Sequence, residues 1–380
     1  MESKMLKVVT IVGTRPEIIR LSSTIKLLDK HVKQILVHTG QNYDYTLNEV
    51  FFNDLDLRKP DHFLGIDTAT MGSAVGDIIK KTEEILKEEK PDAFLVLGDT
   101  NSCLSAYVAK RLHIPVFHME AGNRCFDFNV PEEINRRIID HIADFNLVYT
   151  EHARRHLIAE GLPQNRIYLT GSPMYEVLQD NMKNIKSSKI LQNLNLGEKN
   201  YFIVSVHREE NVDNPLNLGK IIAALNKIAE NYKVPIIIST HPRTRKRLEA
   251  APQFMTSEYI RFLEPFGFID YVHLQMNALC TVSDSGTISE ESAILSFPAI
   301  SIRQSMERPE AQDAGTIILT GLDPEVILNS IETVIAEHKE NKYNQIPEEY
   351  KIANTSWRVL KLILGNAKLS NTWWGIHPVA

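Results

Sequence analysis

His118-Met119-Glu120-Ala121-Gly122-Asn123-Arg124-Cys125-Phe126-Asp127-Phe128-Asn129-Val130-Pro131-Glu132-Glu133-Ile134-Asn135-Arg136-Arg137 is the stretch around which the chain is organised. An apolar run, Ile114–Phe117, enters it, and a capped helical pattern, Pro131–Asn135, leaves it. The reading is strand, turn, helix. Glu120, Asp127, Glu132 and Glu133 alternate there with Arg124, Arg136 and Arg137. A strand end that delivers carboxylates and cations to one turn suits acid/base work, so proton chemistry is expected here. Cys125 reads as a small half-buried loop residue rather than a nucleophile, because no activating histidine partner is evident beside it.

Outward from this stretch the same beat repeats. Leu6–Val12 is a β-branched apolar run that ends at Gly13-Thr14-Arg15-Pro16-Glu17, and Ile18, Leu21, Ile25 and Leu28 follow at helical spacing. Strand, Gly turn and helix start together predict an anion site with Arg15 as its charge; the alternative is an ordinary turn with a solvated arginine. Strands are expected at 34–38, 93–97, 116–119 and 145–149, with helices over 71–89, 102–112, from 131 and from 151. Alternating strands and helices predict a parallel sheet covered on both faces, whose ligands bind beyond the carboxyl ends of the strands. Arg15, Asp99 and Glu120 all fall at such ends. His152 and His156 have a spacing that can hold a metal, but an exposed helix face is the better reading and no metal is expected.

Residues 171–200 change texture: Gly171-Ser172-Pro173 breaks the chain, and 181–197 is rich in Lys, Asn and Ser. A domain crossing is expected there. A second alternating block follows, with strands at 201–206, 234–240, 278–283, 299–302 and 316–319, and helices over 217–232, from 288 and over 324–338. Its turns are His207-Arg208-Glu209-Glu210-Asn211, His241-Pro242-Arg243, Asp284-Ser285-Gly286-Thr287 and Arg303. The Ser285 turn suits a diphosphate. Glu291 suits a pair of ribose hydroxyls, while Glu290 reads as a helix-face charge.

The 380 residues allow two domains, and 43% apolar with 24% charged residues is ordinary globular composition. A net charge of −6 argues against a nucleic-acid partner. The three cysteines are scattered and odd in number, so no disulfide framework or zinc knuckle is expected. No apolar signal core or membrane-length run is evident, and a cytoplasmic protein without membrane contact is expected. A dinucleotide Gly-x-Gly-x-x-Gly turn and a P-loop are both missing, so no cofactor is expected.

Taken in order, Gly13–Glu17, Gly98-Asp99-Thr100, His118–Gly122, Pro131–Arg136, His207–Asn211, Asp284–Gly286, Glu290-Glu291 and Glu307-Arg308-Pro309-Glu310 resemble the non-hydrolysing UDP-N-acetylglucosamine 2-epimerase family over nearly the whole chain. The resemblance implies an α/β protein of two Rossmann-like domains facing a cleft, the glycosyltransferase-B type. It implies an N-terminal domain over 1–170 and a UDP-binding domain over 171–365. A helix over 356–365 would cross back, and a tail over 366–380 would pack on the first domain. It assigns catalysis to Asp99, Glu120, Glu132 and His207. Substrate contacts would come from Arg15, Arg20, Arg136, His241, Ser285, Gly286, Glu291 and Arg308. A UDP-N-acetyl sugar is the implied partner, in a homodimer.

Several residues depart from the main branch. Arg20 stands where many members have Lys, Asn123 where Leu is usual, and Thr287 where Gly is expected; Gln41-Asn42-Tyr43 replaces Gln-His, and the 126–130 spacer is short. These features look like the branch that converts UDP-2-acetamido-2,6-dideoxy-L-talose to UDP-N-acetyl-L-fucosamine. Phe126 and Phe128 would then be candidates for an apolar wall against the C6 methyl. UDP-N-acetylglucosamine/UDP-N-acetylmannosamine epimerisation is the alternative. A glycosyltransferase of the same fold, a hydrolysing epimerase and a non-catalytic UDP-sugar-binding regulator are more distant ones.

Overall fold

The computed structural model describes residues 5–41, 51–250, 255–340 and 346–376; Asn42, Tyr43 and Asp44 of the second strand-end turn lie outside them. Two compact units result: residues 1–180 with 351–380, and residues 181–350.

The first unit runs β1 (Lys7–Val12), α1 (Arg15–His31), β2 (Lys33–His38), β3 (His62–Phe63), α2 (Met71–Glu89), β4 (Ala93–Leu97) and α3 (Ala106–Arg111). It continues through β5 (Val116–Ala121), α4 (Pro131–Ile142), β6 (Phe145–Val148), α5 (Glu151–Ala159) and β7 (Ile167–Leu169) into α6 (Met174–Ser187). The helix expected over 102–112 opens as a 3₁₀ turn, Asn101–Ser105, before α3. Among the described residues the sheet has seven strands in the order β3-β2-β1-β4-β5-β6-β7, all parallel. Val8, Val9, Leu36, Phe94, Leu95, Val96 and Phe117 are at most 1% exposed, as strands covered on both faces require. The strand order reverses between β1 and β4, the usual ligand edge of such sheets. Pairing of Thr10 with Leu95 and of Leu97 with Met119 brings the ends of β1, β4 and β5 to that edge.

The second unit follows with α7 (Ile190–Leu194), β8 (Phe202–Ser205), α8 (Glu209–Val212), α9 (Pro215–Tyr232), β9 (Ile236–Ser239), α10 (Pro242–Glu249) and β10 (Ile260–Leu263). Then come α11 (Phe268–Asn277), β11 (Cys280–Ser283), α12 (Ile288–Leu295), β12 (Ala299–Ser301), α13 (Pro309–Asp313), β13 (Ile318–Leu319) and α14 (Pro324–Lys339). Its six described strands are parallel in the order β10-β9-β8-β11-β12-β13. The core joins Phe202, Val204, Ile236, Ile238 and Val282 to Leu225 and Ile228 of α9 and Ile327 and Ile331 of α14.

Two expectations are corrected. The polar stretch after Pro173 is helical, because Met174, Val177, Leu178 and Ile185 recur at helical spacing and are buried; the division falls after Asp180, inside α6. The second unit ends at Tyr350, not 365. The closing helices α15 (Thr355–Asn366) and α16 (Ser370–Trp373) belong to the first unit. There Thr355 Oγ1 donates to the carbonyl of Thr170 (3.1 Å), Ser356 N donates to Glu176 (2.8 Å), and Trp357 packs on His31. Trp373 and Trp374 close over the Arg166 guanidinium at 5.1 and 4.2 Å. Among the described residues no helix is long and apolar enough to cross a membrane.

Candidate active site

In the first unit, the β5 end carries Glu120 in an unusual conformation. Its φ is +67°, and the β5–β6 register slips between Met119 and Ala121. A non-glycine residue in the left-handed region at a bulge costs on the order of 1 kcal/mol and turns the side chain off its normal alternation. Gly122 is required two residues on, because a Cβ there would run into the Ala153 carbonyl. Glu120 is 6% exposed; Arg20 from α1 pairs with its Oε2, and Asn123 Nδ2 donates to Oε1 at 3.4 Å. Arg20, expected on the substrate, therefore also holds a carboxylate assigned to catalysis.

Asp99, at the β4 end, accepts from Arg136 Nε at 2.7 Å, and its carbonyl accepts from Asn135 Nδ2 at 2.9 Å. Glu132, half-buried, opens α4 one turn before Arg136. Arg136 also reaches Glu133 (3.1 Å). Glu133 is fully buried and accepts from the Cys125 N–H (3.0 Å) and from Arg137 Nη2 (3.0 Å). Burial pushes its carboxyl up, but the Cys125 N–H and Arg136 outweigh this and leave it below the usual range. Burial pushes the Cys125 thiol up, which suits a structural residue better than a thiolate nucleophile.

Beneath this edge His118 bridges Asp140 (2.9 Å) and the Gly98 carbonyl (2.9 Å). Asp140 also accepts from Gly122 N and from Arg124, which forks onto Glu160 with two 2.7–2.8 Å bonds. His156 bonds the Gly122 carbonyl and meets Phe126 edge-on, while Arg137 lies over Phe128 at 5.2 Å. Phe126 and Phe128 are 65% and 66% exposed.

The α1 turn corrects an expectation. Gly13 N and Thr14 N both donate to the carboxylate of Glu17, at 2.5 and 2.9 Å. The chain fills those two donors with its own carboxyl group, so they are not open to a phosphate. Arg15 lies over the Phe51 ring at 5.4 Å.

In the second unit, Asp284 at the β11 end is fully buried. It accepts from His207 N and Arg208 N (3.0–3.1 Å) and Asn211 Nδ2 (3.0 Å), and pairs with His207 Nδ1 (3.2 Å). Burial would raise its carboxyl, but His207 and these donors hold it down at about 2. His207 itself is 42% exposed and lies 6.1 Å, ring to ring, from His241, which caps α10. Ser285 Oγ bonds Thr287 Oγ1 (2.9 Å) and caps Thr287 N (3.3 Å). Gly286 has no room for a side chain: a Cβ would lie 2.5 Å from Glu307 Oε1. Its carbonyl accepts from Arg308, which is 2% exposed. Glu290 is corrected from a helix-face charge to a fully buried partner of Arg308 (3.4 Å). Arg303 pairs with Glu307 at 2.7 Å, and Glu291 accepts from Gln275 at 2.7 Å.

From the sequence Glu133 was named only as one carboxylate of the 118–137 stretch, Glu17 and Asp284 only as members of their turns, and Asp140 not at all. Two of them had a local signal: Glu133 in its i+3 and i+4 spacing to Arg136 and Arg137, and Glu17 in the Thr14-x-x-Glu17 capping-box spacing. Asp140 and Asp284 find their partners 16 to 77 residues away, and Glu17 reaches Thr100 and Ser102 from 83 and 85.

Comparison with known proteins identifies the family of the chain. The model of the family described as UDP-N-acetylglucosamine 2-epimerase matches residues 26–364. The structure titled UDP-N-acetylglucosamine 2-epimerase from Rickettsia bellii is 51% identical, with a TM-score of 0.90 over 97% of this chain and 100% of that one. The Methanocaldococcus jannaschii UDP-GlcNAc 2-epimerase, solved with UDP-GlcNAc and UDP, is 35% identical, with a TM-score of 0.88 over 94% and 99% of the two chains. The UDP-2,3-diacetamido-2,3-dideoxy-D-glucuronate 2-epimerase of Pseudomonas aeruginosa is 32% identical over 87% of this chain and 93% of its own. The chain therefore belongs to the UDP-N-acetylglucosamine 2-epimerase family of isomerases.

Proposed function

We propose that the protein inverts C2 of a UDP-2-acetamido sugar by eliminating UDP and adding it back. The C2 hydrogen of such a sugar is not flanked by a ketone, so its direct removal leaves a poorly stabilised carbanion. Breaking the C1–O bond to UDP as C2–H breaks gives a glycal instead. Reprotonation on the other face and return of UDP complete the inversion. This needs a base, an acid and stabilisation of the departing diphosphate, with no redox step. Glu120, Glu132 and Asp99 supply the proton-moving groups. Arg15, His207 and the Ser285–Gly286 turn supply the charge and donors for the diphosphate, Glu291 the ribose acceptor, and Arg136, His241 and Arg308 hold these groups in place.

One observation carries the reading: Glu120 and Asp99 each stand at a strand end, on one sheet edge, with a guanidinium from a different helix on each carboxylate. A protein that only bound an anionic nucleotide would gain nothing from two carboxylates there.

For the substrate we favour UDP-2-acetamido-2,6-dideoxy-L-talose, giving UDP-N-acetyl-L-fucosamine for capsule or O-antigen precursors. Arg20, Asn123, Thr287 and the short 126–130 spacer support it. UDP-N-acetylglucosamine is the second reading, favoured by the name of the 51% identical neighbour. Incubation in heavy water with a panel of UDP-N-acetyl sugars, with and without the 6-hydroxyl, decides by NMR. Epimer carrying deuterium at C2 is expected; product without it rules out elimination, and free sugar in its place points to hydrolysis.

A further inference from the structure

Glu17 is 2% exposed, yet among the described residues no cation is ion-paired with it. Its two oxygens are divided between two turns. Oε2 accepts from Gly13 N and Thr14 N of the β1–α1 turn, which carries Arg15. Oε1 accepts from the hydroxyls of Thr100 and Ser102 (2.6 Å for Ser102), which directly follow Asp99. On its other side Asp99 is held by Asn135 and Arg136. The strand register alone sets where β4 ends, but not where the first residues beyond it point. β5 holds Gly98 through His118 and the Met119 carbonyl, and beyond it two helices anchor the turn from either side: α4 through Asn135 and Arg136, and α1 through Glu17.

From this geometry we propose that Glu17 is a positioning residue for Asp99, an inference that rests on the reading of Asp99 as an acid/base group. A burial of this kind has a clear alternative, that Glu17 merely caps α1. The division of its oxygens separates the two. Glutamine keeps one acceptor oxygen and puts an amide nitrogen where the other was, so either the β1–α1 turn faces donor to donor or the Thr100 and Ser102 hydroxyls lose their acceptor and must turn to accept instead. Displacement of a reacting group by about 1 Å costs on the order of 100-fold in rate.

The test measures kcat, KM and urea unfolding for Glu17→Gln, for Thr100→Val with Ser102→Ala, and for Asp99→Asn with and without Glu17→Gln. The expected result is a folded Glu17→Gln protein with kcat lowered about 10- to 100-fold and KM within about threefold of the parent. Thr100→Val/Ser102→Ala, which leaves the α1 cap intact, shows the same loss and stands in should Glu17→Gln not fold. In the Asp99→Asn background the residual rate of C2 deuterium exchange falls by less than about twofold on adding Glu17→Gln, since the group being positioned is already gone. Normal kcat in Thr100→Val/Ser102→Ala, a change confined to KM, or full additivity with Asp99→Asn would each overturn the proposal. Undiminished turnover by Asp99→Asn would instead remove the reading on which it rests.

Discussion

Glu17 and Asp284 are two buried carboxylates that occupy matching places, each tying a strand-end turn of its own unit to a neighbouring one. Each accepts from two successive backbone N–H groups and from side chains of the neighbouring turn. They titrate in opposite directions. Burial pushes Glu17 up, and four hydrogen bonds do not offset it. Asp284 is as deeply buried, but His207 lies at 3.2 Å and holds it at about 2. Neighbouring charge, rather than the count of hydrogen bonds, decides the sign. The comparison also separates the two turns as anion seats. In the first unit the donors at the start of α1 are filled by a carboxylate of the chain. In the second, the Ser285–Thr287 turn is capped by neutral hydroxyls, with the Arg308 guanidinium on the Gly286 carbonyl beneath it. A turn holding neutral groups is the one that can still take a diphosphate.

The largest effect is expected at the ion-paired carboxylates. Glu120→Gln still folds, at a cost of about 1–3 kcal/mol for leaving buried Arg20 without its carboxylate, and lowers kcat by about 10³-fold, because general acid/base groups contribute on the order of 10²–10⁴. Near-normal turnover would leave Glu120 as a structural partner of Arg20 and make the first unit's edge resemble the second's. Next, Asp284→Asn destabilises by about 2–3 kcal/mol in urea titration, since it removes a buried charged acceptor from several donors at once. Gly286→Ala costs about 1–3 kcal/mol through the contact with Glu307 and weakens UDP binding in calorimetry. A variant that binds UDP normally would take the diphosphate away from this turn.

The smallest effect sharpens the comparison most. Asp284 has a folded pKa below its unfolded value, so its contribution is present above about pH 4 and is lost as pH falls toward 2. Glu17 has a folded pKa above its ordinary 4.5, so its contribution is present below that value and is lost as pH rises through the folded one. The stability gap between parent and Asp284→Asn is therefore larger at pH 7 than at pH 3. The gap between parent and Glu17→Gln is larger at pH 4 than at pH 7, and urea titrations at the two pH values read the difference directly. Gaps that move in the same direction would end the contrast between the two carboxylates.

The fold was largely legible along the chain because both units are built from a local signal. Apolar runs of four to six residues ending in Gly or polar turns, followed by helical spacing, suffice to read β1, β4, β5, β8 and β11 and the helices after them. The strands β3, β7 and β10 escaped notice because each lies at the edge of its sheet and is only partly buried, so no continuous apolar run marks it. α6 was hidden because its exposed face is rich in Lys and Asn, which masked Met174, Val177, Leu178 and Ile185.

The sequence by itself determined that Arg15, Asp99 and Glu120 end neighbouring strands, and that His207 and Ser285 close strands of a second block. It did so because a parallel sheet places every strand's carboxyl end on one edge. Only the tertiary structure decided who partners whom. Arg20 meets Glu120 from 100 residues away, Glu17 meets Ser102 from 85, and Asp284 meets His207 from 77. Residues so far apart in the chain are brought together by strand order and register, which composition and spacing do not encode. Those pairings turn a helix-start glutamate into a plug, a helix-face glutamate at position 290 into a buried counter-ion, and an arginine expected on the substrate into the partner of Glu120.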